Sequence, residues 1–352
     1  MIVKTKKIAT LALLAGSTVA LAACGASNTS KVEEKKDDFK SMIITDVGGV
    51  SDKSFNQGAW EGLQAWGKEA GKKEGENYGY LQSNSDSDYA PNLETAVEQG
   101  SKIIFGIGFK LEQAIADAAK NHADTQFALI DSVVTEDKQP NKNVLSITFK
   151  DNEASFLAGV AAGLTTKTNT VGFIGGIHGD VIDRFEAGFV AGVKAVNPNA
   201  TVQVQYADSF SDAAKGQSLA AAMYASGVDV IFHAAGGVGA GVFTEAKNLV
   251  KADPNKNIWV IGVDQDQSAE GKVDDSRNIT LTSTLKGVGT AVHKFTAEAA
   301  KGTFYGGQVQ VLGLKDNGVD LAEGQLSAEV KAKVAEFKKA IIDGTQTVPE
   351  KP

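Results

Sequence analysis

From residue 42 onward the chain alternates between two hydrophobic rhythms. Short runs rich in β-branched and aromatic residues occupy 42–47, 78–82, 102–105, 126–130 and 144–149. A second series occupies 170–174, 201–206, 228–232, 258–263 and 279–284. Between them, apolar residues recur at helical spacing over 55–70, 111–121, 152–164, 213–225 and 288–301, and a last helical stretch covers 328–342. Strand-length apolar runs separated by helices of this length predict βαβ units, parallel sheets and an α/β fold class.

The two series repeat one another. Phe55-Asn56-Gln57-Gly58-Ala59-Trp60-Glu61-Gly62 matches Phe185-Glu186-Ala187-Gly188-Phe189-Val190-Ala191-Gly192 at an offset of 130 residues. Each reads Phe-x-x-Gly-x-x-x-Gly and is expected at a helix start, after a strand and a Gly-rich loop. Phe127-Ala128-Leu129-Ile130-Asp131 likewise matches Trp259-Val260-Ile261-Gly262-Val263-Asp264, with an aspartate at the strand end. Two copies of one α/β lobe are therefore expected. Open α/β sheets bind ligands outside the carboxyl ends of their strands, so two facing lobes would bring Phe55, Asp131, Phe185 and Asp264 to one cleft. The plainer alternative is that the phenylalanines plug lobe cores and the aspartates cap helices.

The segment before residue 42 has a different character. Lys4, Lys6 and Lys7 precede a weakly polar to apolar run over residues 8–23, which ends at Leu21-Ala22-Ala23 before Cys24, the chain's single cysteine. A basic start, a short apolar run and small residues before a cut site describe an export signal, and the run is shorter than the ~20 residues a spanning helix needs. Leu21-Ala22-Ala23-Cys24 resembles the lipobox of bacterial lipoproteins, which implies that 1–23 is removed and that Cys24 carries a lipid. Two acyl chains, at ~0.8 kcal/mol per buried methylene, anchor a protein stably where one is marginal. Residues 24–40 are small, polar and charged, as a flexible tether would be.

Composition narrows the function. The formal charge is −8 for the full chain and −11 without the three lysines of residues 1–23, so binding to nucleic acid, which rests on neutralising phosphates, is excluded. A lone cysteine makes no internal disulfide, and four histidines without further cysteines make no metal set. The chain carries no Walker loop, H-E-x-x-H or G-x-S-x-G word. No cofactor and no catalytic residue is expected.

Several loops follow predicted strands. Asp46 to Asn56 (Asp-Val-Gly-Gly-Val-Ser-Asp-Lys-Ser-Phe-Asn) is rich in residues that tolerate tight turns and aim backbone donors at a bound group. Within it Asp46 either orients a ligand hydroxyl or holds the loop, and Ser54 either meets a ligand or caps the helix at Phe55. Gly236 and Gly237 lie in a Gly-rich stretch that lacks the G-x-G-x-x-G spacing of dinucleotide sites; they would let backbone approach a sugar or base. His178 is expected as a loop residue. Lys286, just past a strand, is the one cation placed near a lobe junction.

The words Thr45-Asp46-Val47-Gly48-Gly49, Asp52-Lys53-Ser54-Phe55-Asn56-Gln57, Arg184-Phe185-Glu186-Ala187-Gly188, His233-Ala234-Ala235-Gly236-Gly237, Gly262-Val263-Asp264 and Thr284-Leu285-Lys286-Gly287-Val288-Gly289 resemble the basic membrane protein (Bmp) family of bacterial lipoproteins. That group includes the purine nucleoside receptor A (PnrA)-like substrate-binding proteins of ABC transporters. The resemblance implies a type I periplasmic-binding-protein fold, two Rossmann-like lobes with a hinge and a ligand cleft between them. Lobe 1 would comprise 41–149 plus about 285–311, and lobe 2 would comprise 150–284 plus about 312–346, with crossings near 149–151, 283–286 and 312.

It further implies a purine nucleoside ligand (guanosine, inosine or adenosine). Phe55 and Phe185 would hold the base, Asp131 would accept from its nitrogens and Asp264 would take the ribose hydroxyls. Asp46, Ser54, Asn56, Lys286 and the Gly236–Gly237 backbone would stand nearby. The implied partners are ABC transporter permease subunits and the membrane, through the anchor at Cys24. The implied location is the extracytoplasmic face of the cell membrane, and a monomer is expected. The alternatives are a receptor for another nucleoside or a sugar-like solute, a surface adhesion lipoprotein and, last, a nucleoside hydrolase. Metabolic labelling with palmitate should mark the wild-type chain and leave a Cys24→Ala chain unlabelled; label retained on that variant would remove the anchor.

Overall fold

The computed structural model describes residues 39–136 and 139–352. The signal segment 1–23, Cys24 and the tether as far as residue 38 lie outside the described residues. The first half runs β1 (Ser41–Ile44), α1 (Phe55–Glu69), β2 (Tyr78–Leu81), α2 (Tyr89–Glu98), β3 (Ile103–Ile107), α3 (Glu112–Asn121) and β4 (Gln126–Ile130). A two-residue pair, β5 (Thr135–Glu136) and β6 (Gln139–Pro140), precedes β7 (Val144–Phe149). The second half runs α4 (Asp151–Thr165), β8 (Thr170–Gly175), α5 (Asp180–Val196), β9 (Thr201–Tyr206), α6 (Ala213–Ala225), β10 (Val230–Ala234), α7 (Gly239–Ala252), β11 (Trp259–Gly262) and β12 (Thr280–Lys286). It is followed by α8 (Val288–Ala300), β13 (Val309–Leu312), β14 (Val319–Leu321) and α9 (Ala328–Ile342).

These strands form two six-stranded sheets, ordered β13-β7-β4-β3-β1-β2 and β14-β12-β11-β10-β8-β9. Within these two sheets every pairing among the described residues is parallel except β12 with β14; the separate β5–β6 pair is antiparallel. The orders superimpose: β1 and β8 occupy the same place, as do β4 and β11, and so on across each sheet. The α/β class and the duplication read from the apolar pattern are both present. The interior strands β1, β3, β10 and most of β4 are buried on both faces, as parallel strands covered by helices must be. The chain crosses between β7 and α4, returns between β12 and α8, which packs on α1, and crosses again between β13 and β14.

The Phe-x-x-Gly-x-x-x-Gly words explain how the helices sit. A Cβ on Gly62 of α1 would lie 2.1 Å from the Gly289 carbonyl oxygen of α8, and one on Gly289 would lie 2.4 Å from the Gly58 carbonyl. In the second half, Cβ atoms on Gly188 and Gly192 of α5 would meet the carbonyls of Asn152 and Phe156 in α4 at 2.2 and 2.0 Å. In both lobes the glycine face brings two helix backbones together, and the phenylalanine that opens the word is left pointing elsewhere.

Two expectations need correction. Phe55 is the first residue of α1, but Phe185 is well inside α5, which begins at Asp180. Asp180 and Asp183 in the first turn favour the earlier start, because carboxylates there meet the unpaired N–H groups of a helix N-terminus. The helices α2 and α7 and the strands β13 and β14 were not read from the apolar pattern. The two strands are short and half exposed, so neither shows an uninterrupted apolar run. No helix among the described residues is long and apolar enough to cross a membrane. Gly192→Ala should cost about 1–3 kcal/mol by overpacking α5 on α4, seen as a lower urea midpoint with unchanged far-ultraviolet dichroism; an unchanged midpoint would contradict the packing.

Candidate ligand-binding cleft

The carboxyl ends of strands from both sheets open onto one cavity, with about 530 Å³ of free space counting its mouth. Asp46, Gly48, Asp52, Phe55 and Asn56 enter from the β1–α1 connection, Gly108 and Phe109 from the end of β3, and Asp131 from the end of β4. The second lobe contributes Val181, Ile182 and Phe185 of α5, Phe210 from the loop after β9, Ala234, Ala235 and Gly236 around the end of β10, and Val263 and Asp264 after β11; Lys286 enters from the end of β12, where the chain crosses. Of the ten ligand-binding candidates read from the sequence, eight are on this wall; Ser54 and Gly237 are not.

The β1–α1 loop is held by its own carboxylates. Asp52 accepts from the backbone N–H groups of Ser54 (2.9 Å), Asn56 (2.9 Å) and Gln57 (3.1 Å), so it supplies the N-terminal cap of α1. Asn56 Nδ2 donates to Asp52 Oδ2 at 2.9 Å and to Asp46 Oδ1 at 2.7 Å, and Gly48 N donates to the same Asp46 oxygen at 2.9 Å. Asp46 thus holds the loop with one oxygen. Burial pushes its carboxyl up to about 6, against the lowering effect of the Gly48 and Asn56 hydrogen bonds.

Ser54 does not cap α1 with its side chain. Its Oγ crosses to the second lobe and donates to Asp264 Oδ2. Its carbonyl accepts from Gln265 Nε2 at 2.7 Å, and the Lys53 carbonyl accepts from Gln267 Nε2 at 2.9 Å. Gln267 is oriented in turn by His233 Nε2 at 3.0 Å from its Oε1. His233 is fully buried, and burial lowers its imidazole to about 4, so it stays neutral.

Asp131 and Asp264 occupy matching positions after β4 and β11, and both take the left-handed conformation, with φ of 69° and 66°. That conformation is uncommon for residues other than glycine and collects at functional sites. Lys286 lies between them. Its Nζ is 2.6 Å from Asp131 Oδ2 and 3.0 Å from Asp151 Oδ1, and its side chain is only 3% exposed. The ammonium sits over the rings of Phe55, Phe149 and Phe185 at 5.2, 5.2 and 5.6 Å, a cation–π arrangement. Burial disfavours the charged lysine, yet Asp131, Asp151 and Asp264 together raise its pKa above the ordinary value. Burial raises Asp131, opposed by Lys286, and burial carries Asp264 up to about 7 although Lys286 and Ser54 pull it down.

Asp131 lines the cavity, and its Oδ1 is buried and without a hydrogen-bond partner. A buried orphan acceptor costs about 1–3 kcal/mol, so this oxygen is suited to receive a donor from a bound molecule. The residues that sequence reasoning missed are Phe109, Phe210, Asp52, Asp151 and Arg184. The Phe109 and Phe210 rings, one from each lobe, meet edge to face at 6.1 Å; a lone aromatic in a polar loop after a strand was their only signal. Gly236 (φ 53°) and Gly237 leave room for the Phe210 carbonyl, 3.1 and 3.3 Å from where their Cβ atoms would be. His178 is exposed and stacked on Tyr206, away from the cavity wall.

A two-lobed α/β chain with three crossings and an interlobe cavity at the strand ends is the architecture of solute-binding proteins. An ABC transporter solute-binding protein from Aeropyrum pernix K1 shares it, with a TM-score of 0.77 at 24% identity over 87% of this chain and 92% of that one. The chain belongs to the Bmp family of PnrA-like ABC transporter substrate-binding proteins, whose profile matches residues 39–351. It is 53% identical to the CD4+ T-cell-stimulating antigen of Listeria monocytogenes, over 97% of this chain and 98% of that protein. It is 50% identical to the ABC transporter nucleoside-binding protein BmpA of Lactococcus lactis, over 99% and 100%. Basic membrane protein A of Borreliella burgdorferi is 34% identical over 88% and 87%.

Carboxyls raised in the folded state keep protons that the unfolded chain has released. Through Asp46 and Asp264, stability is therefore full below about pH 4 and declines as pH rises toward 7. The melting temperature of the ligand-free protein should fall between pH 5 and pH 8, and Asp264→Asn should flatten that fall; a wild-type profile that rises over this range would contradict the assignment.

Proposed function

We propose that the protein is a lipid-anchored, extracytoplasmic receptor that captures a purine nucleoside (guanosine, inosine or adenosine) between its lobes and delivers it to the permease of an ABC transporter. The observation that carries the reading is the unpartnered Asp131 Oδ1 on a buried wall between aromatic rings. An ionised carboxylate accepts but cannot donate, which suits an N–H-bearing base edge. The relative named as nucleoside-binding, at 50% identity over nearly the whole chain, supports the same class of ligand.

In this reading Phe55 and Phe185 flank the base, and Asp131 receives its N–H groups. Asp264 takes the ribose hydroxyls in place of Ser54, with Lys286, Asn56 and the Gly236–Gly237 backbone nearby. Asp46 keeps the Gly48 loop shaped to the ligand. The lobes are 41–149 with about 285–311, and 150–284 with about 312–346, and closure turns on the crossings near 149–151, 283–286 and 312. Cys24 holds the molecule at the membrane, where its cargo must be handed over. Hinge closure around the solute is the usual response of this architecture.

Stacking on an aromatic ring contributes about 1–3 kcal/mol per base, and each hydrogen bond to a charged carboxylate about 1.5–3 kcal/mol. After ligand carried through purification is removed by unfolding and refolding, calorimetry should show saturable binding of at least one of inosine, guanosine and adenosine. Phe55→Ala should weaken it by about five- to a hundredfold, the equivalent of one stack. Absence of heat with all three nucleosides would overturn the proposal.

A further inference from the structure

Gln265 and Gln267 follow β11 on the turn that carries Asp264, yet neither side chain is on the cavity wall. Both reach the other lobe. Gln267 Nε2 donates to the Lys53 carbonyl at 2.9 Å and Gln265 Nε2 to the Ser54 carbonyl at 2.7 Å, so two amides take two successive carbonyls of the β1–α1 loop.

Gln267 is mounted for this one contact. Its Oε1 accepts from Val263 N at 3.1 Å, and a backbone N–H can only donate, so the amide nitrogen is the end that faces Lys53. The same oxygen is 3.0 Å from His233 Nε2. His233 is fully buried and neutral, and its Nδ1 has no partner among the described residues. A Cβ on Gly239 would lie 2.1 Å from the imidazole ring, so the start of α7 closes on it and its one N–H is directed at the glutamine. The main chain completes the mount: Gln267 N donates to Ser283 Oγ at 3.1 Å, and its carbonyl accepts from Thr280 Oγ1 at 3.1 Å, both on β12.

The receiving loop is held as firmly. Lys53 takes the left-handed conformation, with φ of 58°, which is uncommon for a residue other than glycine. Among the described residues its carbonyl has no partner besides Gln267. The Ser54 carbonyl also accepts from Gly58 N at 3.0 Å, and Gln265 lies along that glycine, its Nε2 3.3 Å from where a Cβ would stand. Asp52 fixes the N–H groups of Ser54, Asn56 and Gln57. A grip on these two carbonyls therefore holds the whole segment that brings Phe55 and Asn56 to the cavity.

We infer that Gln265 and Gln267 are a latch for the closed arrangement, a pair of second-lobe amides that grip the first lobe from outside the ligand cavity and so slow reopening whatever solute is held. This rests on the reading that the lobes open and close about their crossings, and not on which solute they enclose. A contact that exists only after closure stabilises the closed state, and it acts on exit, because the solute enters before the contact forms. Since neither glutamine lines the cavity, no ligand has to displace it.

Nitroxide labels at Ala90→Cys and Lys215→Cys, exposed positions on α2 of the first lobe and α6 of the second, report lobe separation in a Cys24→Ala chain, which has no other cysteine. Without nucleoside, Gln267→Leu and Gln265→Leu should each reduce the short-distance population about threefold or more, and inosine should leave each variant about three- to tenfold faster, as the loss of one hydrogen bond requires. The association rate should stay within about twofold of the background, since the latch forms after entry. If Gln267→Leu does not fold, Gln265→Leu, on a half-buried side chain, carries both measurements. Folded variants that keep the background's short-distance population, or that slow the entry of inosine and leave its exit unchanged, would overturn the inference. The distance measurement needs no ligand, so failure of inosine to bind would overturn the nucleoside reading and leave the latch standing on the distances alone. A background chain with one lobe separation that neither inosine nor either substitution moves would overturn the hinge reading together with the latch.

Discussion

A buried ammonium held between two carboxylates is the interaction on which the site is built. Lys286 comes from the end of β12, Asp131 from the end of β4 and Asp151 from the start of α4, so one charge ties a strand end in each sheet to a crossing segment. Such a cluster is weak evidence for stability, since desolvating three charged groups offsets most of their attraction. What it specifies is geometry. An apolar substitute could fill the same volume without requiring that the two strand ends meet in one register. The left-handed backbone at Asp131 and Asp264 is consistent with this. Both aspartates hold a conformation that local preference disfavours, at the place where each sheet delivers a carboxylate to the cavity.

The duplicated fold explains how so polar a centre is enclosed. In each half a glycine face draws a helix against its neighbour until backbone meets backbone, and the phenylalanine one turn before the first glycine is carried to the cavity wall. Helix packing and the lining of the cavity are thus encoded in one eight-residue word. The copies are not identical: Phe55 opens its helix, while Phe185 is embedded within α5, almost fully buried and part of the main core. The two rings consequently differ in freedom, and the first lobe supplies the more exposed one.

The alternation of apolar runs was enough to read the α/β class and the repeat, because parallel strands buried on both faces leave uninterrupted β-branched segments such as Ile103–Ile107. Asp131, Asp264, Phe55 and Phe185 were legible for a second reason: each recurs at one topological position in both copies. What escaped was whatever lacked a counterpart or a periodic signature. Strands β13 and β14 are short and half exposed. Phe109 and Phe210 are solitary rings in polar loops, brought together only by the tertiary fold. Asp151 reads as an ordinary first-turn helix carboxylate until the crossing folds it under Lys286. Ser54 was legible as a helix cap, but Asp52 fills that role and frees the serine to reach across the cleft.

Those cross-cleft contacts bear on how a ligand and closure are coupled. Ser54 engages Asp264, Gln265 and Gln267 hold the turn at Lys53–Ser54, and Phe109 meets Phe210; all of these join opposite lobes. A solute that closes such a protein gains only the difference between its affinity for the closed and the open arrangements. Contacts that the lobes make with each other lower the conformational cost of closing. In the reading proposed above, the same contacts would be given up wherever the ligand takes their place, as at Asp264. Affinity is then governed less by the number of ligand hydrogen bonds than by how many replace an interlobe bond and how many satisfy a group left open. By that measure, in the nucleoside reading proposed above, Asp131 Oδ1, which has no partner to give up, would contribute more to binding than Asp264, whose carboxylate would first have to release Ser54.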